Sequence, residues 1–80
     1  MGTRAYLLVE TSVGRTRDVF EALKKIGGVE SADVVTGPYD IIATLTGKDA
    51  SEVGSLVTEE VGPIAGVVRT ITNFAIPNSK

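Results

Sequence analysis

The sequence predicts an α+β sandwich with the element order β-α-β-β-α-β, on three observations. Four β-prone runs are separated by two stretches of helical periodicity, and glycine or proline marks nearly every junction. At the midpoint, Thr36-Gly37-Pro38-Tyr39-Asp40 joins two of the strands directly. Pro38 presets its φ for the first corner of a turn, and Gly37 admits a positive φ or a close backbone approach. An aromatic ring and a carboxylate stand beside that corner, so ligand chemistry is expected to gather here.

Each element follows from its pattern. Arg4 to Glu10 is a first strand with apolar residues on both sides, Ala5, Leu7 and Val9 alternating with Tyr6 and Leu8. Such a strand is covered on both faces. From Thr16, the residues Val19, Ala22, Leu23 and Ile26 fall on one helical stripe, with Arg17, Asp18, Glu21, Lys24 and Lys25 outside. Glu21 and Lys25 are spaced for an i,i+4 pair, and Gly27-Gly28 ends the helix.

Val29 to Thr36 is polar enough for an edge strand; Ile41 to Thr46 returns beside it as a hairpin. Asp49 and Glu52 have the spacing of a capping box, opening a helix with the stripe Val53, Leu56, Val57 and Val61 and a stop at Gly62-Pro63. Gly66 or Val67 to Ile76 is the last strand. Ile26-Gly27-Gly28-Val29 and Ile64-Ala65-Gly66-Val67 punctuate the two halves alike, a faint internal repeat.

Right-handed crossovers then place both helices on one face of a four-stranded antiparallel sheet, in the ferredoxin-like manner. The opposite face would expose members of Tyr6, Leu8, Ile42, Val68, Phe74 and Ile76, or their alternates. That patch is too large to leave in water, and a sheet-to-sheet homodimer of the dimeric α+β barrel type is the simplest remedy.

Composition narrows the chemistry. The 80 residues make one small domain, residues 1–80, with neither cysteine nor histidine. Disulfides, thiolate catalysis, imidazole ligands and a histidine base are therefore excluded. Oligomerisation is the remaining route to extra stability, and no cofactor is implied. With 8 basic and 10 acidic residues, net −2, the chain shows no basic stripe for direct nucleic-acid binding. No run approaches the ~18 apolar residues of a membrane span, and no signal peptide is visible. A soluble, cytoplasmic protein is expected.

Val35-Thr36-Gly37-Pro38-Tyr39-Asp40 and Gly66-Val67-Val68-Arg69-Thr70-Ile71-Thr72, at this separation, resemble the effector-binding domain of the Lrp/AsnC transcription regulators, the RAM domain. The resemblance covers about Thr3 to Ile76. It departs from the family's regulators in lacking an N-terminal helix-turn-helix, so it looks like the stand-alone members. It implies a non-enzymatic amino-acid sensor whose dimers assemble into tetramers, octamers or larger rings. An amino acid or related metabolite would bind between dimers. The output would pass through protein partners, among them a full-length regulator of the same family.

Six residues are candidate ligand contacts: Gly37, Pro38, Tyr39, Asp40, Thr70 and Thr72. Asp40 either meets a ligand ammonium, with turn amides taking the carboxylate, or closes the hairpin through local backbone; Tyr39 either touches ligand or packs. Gly37 and Pro38 serve turn geometry under both. Thr70 and Thr72 share a strand face and offer hydroxyls to a carboxylate, or are simply good strand formers. Arg69 and Asn73 lie on the other face, where a solvated or intersubunit role fits them best. Two alternatives stand beside the sensor: a dimeric α+β-barrel enzyme using Tyr39, Asp40 or Tyr6, and a purely structural oligomerisation module.

Overall fold

A computed structural model describes residues 2–77. The order of elements is β1 (Thr3–Thr11), α1 (Thr16–Lys24), β2 (Val29–Val34), β3 (Ile41–Gly47), α2 (Ala50–Leu56) continued by a π-helical turn (Val57–Val61), and β4 (Val67–Phe74). The strands form one sheet in the order β2-β3-β1-β4, with every neighbouring pair antiparallel. This is the βαββαβ arrangement expected from the sequence. No helix among the described residues is long and apolar enough to cross a membrane.

The core lies between the sheet and the helices. Ala5, Leu7 and Val9 of β1 and Ile41, Ala43 and Leu45 of β3 are buried against Val19, Leu23, Val53 and Val61. Residues directly opposite in an antiparallel ladder share a face, so the register also assigns the other side. Tyr6 faces Thr44 and Asn73, and Leu8 faces Ile42 and Ile71. Tyr6 at 41% and Ile42 at 37% exposure confirm that this face is open in the single chain. Val68, Phe74 and Ile76 are exposed as expected, but the expected membership of the bare face needs adjusting. Phe74 lies opposite Ala5, on the helix side of the sheet, and Val68 is an extra residue where the β1–β4 register shifts between Glu10 and Thr11. Ile71 takes a place on the bare face.

Three local expectations change. Glu21 pairs with Lys24 at 4.0 Å instead of Lys25, because Lys25 has already become the helix C-cap. The second helix is not α-helical throughout: Gly62 N–H donates to the Val57 carbonyl at 2.8 Å, an i→i+5 bond. Val61, within this wider turn, is buried together with Val53. At the helix start, Glu52 N–H donates to Asp49 Oδ1 at 2.9 Å, while the Glu52 carboxylate reaches back to the Lys48 N–H. The return contact of the capping box therefore falls one residue before the cap.

The internal repeat is real in three dimensions. Val29 N–H donates to the Ile26 carbonyl and Val67 N–H to the Ile64 carbonyl, both at 3.1 Å. Gly28 and Gly66 have φ of 98° and 103°, the positive value that the third residue of a type II turn requires. At Gly66 a Cβ would also stand 2.7 Å from Arg15 Cβ. Gly37, with φ 115°, has nothing within 4 Å of its Cβ position. Gly66→Ala combines backbone strain with collision and should cost more than the roughly 1–3 kcal/mol of an unfavourable φ. Gly37→Ala should show the strain alone. Urea midpoints of the two variants measure the difference.

Candidate functional site

The central turn is held by backbone before any side chain takes part. Val35 N–H donates to the Asp40 carbonyl at 2.9 Å, closing the loop beyond the last β2–β3 pair, and Gly37 at positive φ reverses the chain. Strand β2 thus stops at Val34, two residues short of the expected Thr36. Asp40 N–H donates to the Val9 carbonyl at 2.9 Å, extending the β1–β3 ladder one step past Ile41.

The Asp40 side chain makes a second tie: its Oδ2 accepts the half-buried Thr11 N–H at 2.8 Å. Around it, the Thr11 and Thr16 hydroxyls are bonded at 2.6 Å, and Ser12 N–H donates to the Gly66 carbonyl at 2.9 Å. Asp40 therefore fixes the end of β1 to the turn, and one of its carboxylate oxygens is already committed.

Tyr39 reaches the other way. The Arg69 guanidinium lies 5.6 Å from the centre of its ring, and Arg69 Nη2 donates to the phenol oxygen at 3.4 Å. Arg69 Nε stands 3.3 Å from Glu10 Oε1. Glu10 and Arg69 are ladder partners on the face away from the helices, just where Val68 bulges. Glu10 was not among the residues singled out. Its role depends on the β1–β4 register, which single-strand patterns do not give.

Thr70 and Thr72 are half-buried on the helix side of β4, opposite Val9 and Leu7. Strand β1 separates them from β3, so two strand spacings, about 10 Å, lie between Thr70 and the Asp40 end of β3. The four turn residues are thus together, and the threonine pair is a separate group on the far side of β1. Pro38 and Gly37 are exposed at the tip. The open depression between α1 and the β2 edge, lined by Thr16, Arg17, Phe20, Asp33 and Val34, contains none of the six candidates.

The family model for the Lrp/AsnC ligand-binding domain matches residues 4–80. The chain belongs to this family. An uncharacterized HTH-type transcriptional regulator of Pyrococcus furiosus is 36% identical over 75 residues, spanning 90% of this chain and 50% of that protein. One of Pyrococcus abyssi is 33% identical across 100% of this chain and 55% of its own length. The Lrp/AsnC domain here thus spans about half the length of these curated relatives. The protein TTHA0845 of Thermus thermophilus superposes with a TM-score of 0.91 at 31% identity, covering 98% of both chains. The transcriptional regulator NMB0573 of Neisseria meningitidis, solved as a complex with L-Met, superposes at 0.85 over 98% of this chain and 52% of its own. At 20% identity it shows the shared fold.

Removing the Asp40 carboxylate should destabilise the Lrp/AsnC domain whether or not a ligand is present. Asp40→Ala leaves the half-buried Thr11 N–H without its acceptor, a loss of about 1–3 kcal/mol. Asp40→Asn keeps an acceptor oxygen and should recover most of it. Chemical denaturation of the two variants gives the comparison, and hydrogen exchange at Thr11 localises the effect.

Proposed function

We propose that this domain senses an amino acid or a closely related metabolite and converts its presence into a change of assembly. The observation that carries the proposal is the position of the turn. Tyr39 reaches Arg69, on the bare sheet face, and that face presents Tyr6, Leu8, Ile42 and Ile71 to solvent. An apolar sheet face of this kind is stabilised by packing on a second copy. Dimers formed in this way would then associate further into tetramers, octamers or larger rings.

The separation of the candidate residues supports a ligand shared between subunits. The polar end of an amino acid does not bridge about 10 Å across a strand. Contacts from Gly37, Pro38, Tyr39 and Asp40 on one subunit and from Thr70 and Thr72 on another reconcile the two groups. Asp40 serves this site chiefly by holding the turn, since its carboxylate already accepts the Thr11 N–H. The L-Met complex of NMB0573 supports an amino acid as the ligand class.

A ligand bound between subunits stabilises the assembly by mass action, by about 2.7 kcal/mol at a hundred times its Kd. The naming of the curated relatives as HTH-type transcriptional regulators supports a transcriptional output. We place that output in contacts with protein partners in the cytoplasm, a full-length regulator of the same family among them, with no catalytic step.

Light scattering coupled to size exclusion, with and without a mixture of the common amino acids, tests the proposal. The expected result is a larger species that grows or sharpens with ligand, together with a raised thermal midpoint. A dimer unchanged by every amino acid would remove the sensing function and leave a structural module.

A further inference from the structure

We infer that Glu10 and Arg69 read the two charged ends of the ligand, Arg69 taking the α-carboxylate and Glu10 the α-ammonium. The inference rests on the amino-acid proposal above and deepens it by naming the charged groups of the site.

Three observations carry it. First, a free α-amino acid presents adjacent opposite charges, and the turn needs a matching pair beside it. One oxygen of the Asp40 carboxylate is already taken by the Thr11 N–H, and the threonine hydroxyls carry no charge. Glu10 and Arg69 do match, and Arg69 reaches Tyr39 of the turn directly.

Second, in the single chain their mutual contact is open and replaceable. It is a single Nε to Oε1 approach of 3.3 Å with side chains 60% and 40% exposed, a geometry in which ion pairs contribute little net stability. A zwitterion inserted between them keeps both charges paired. The guanidinium fork meets both oxygens of a carboxylate, and the Glu10 oxygens accept from the ammonium.

Third, Arg69 is already aimed. Val68 bulges the strand immediately before it, and bulges redirect neighbouring side chains. The Tyr39 ring at 5.6 Å and the phenol oxygen at 3.4 Å limit how the guanidinium can turn.

The test uses the full chain, calorimetric titration with the common amino acids, and the variants Glu10→Gln, Glu10→Asp and Arg69→Gln. Glu10→Gln and Arg69→Gln should each weaken binding by about tenfold or more, with the thermal midpoint of the ligand-free protein unchanged. Glu10→Asp, which retains the charge, should recover much of the affinity. Amino acids bound by the wild type and equally well by both glutamine variants would overturn this assignment and leave the sensor proposal standing. A loss of affinity that follows a lowered ligand-free midpoint, without recovery in Glu10→Asp, would also overturn it, by making the pair structural. A wild type that binds no amino acid would overturn both.

Discussion

The constraint on which this structure depends is a sheet with apolar side chains on both faces and helices for only one. In β1, Ala5, Leu7 and Val9 are covered by α1 and α2, while Tyr6 and Leu8 point the opposite way. The described residues supply no third layer. A small domain is already short of buried area, so the open face is both a cost to the isolated chain and the source of a favourable association. Packing of a second copy on this face would couple stability and assembly through the same side chains, as the proposed sensing function requires.

The candidate site is built at the end of this sheet by contacts between segments distant in sequence. Asp40 ties the turn to the end of β1, Ser12 ties that end to the β4 turn, and Thr11 touches the first residue of α1. Four elements converge within a few hydrogen bonds. This explains why the motif residues around Gly37 and Asp40 belong together even if no ligand touches the carboxylate: the acid completes the backbone that positions Tyr39.

Much of this was legible from single residues. Alternation identified both faces of β1, and the Val19–Leu23 and Val53–Val61 stripes located the helices' buried sides. The midpoint turn was visible in Gly37-Pro38, and the repeat of Ile-x-Gly-Val marked equivalent joints. What remained hidden depended on pairing. The β2 end moved because Val35 bonds to Asp40 across the turn. Phe74 changed sides because the register sets it against Ala5. The π turn left no trace in the pattern, because the stripe of Val53, Leu56, Val57 and Val61 reads the same for a regular helix. Glu10 became notable only once β4 was aligned with β1, since no local pattern in either strand announces its partner.

The paired Gly28 and Gly66 turns have a mechanical consequence. Each leads from the end of a helical segment into the following strand through a single tight joint with one i→i+3 bond. Both joints are short, and a longer loop would hold the helix less closely to the sheet. Each helical segment is thus tied closely to the start of the strand that follows it, and both halves of the fold use the same joint. In the proposed sensor, a bound ligand would then act on the tilt of one copy against the next.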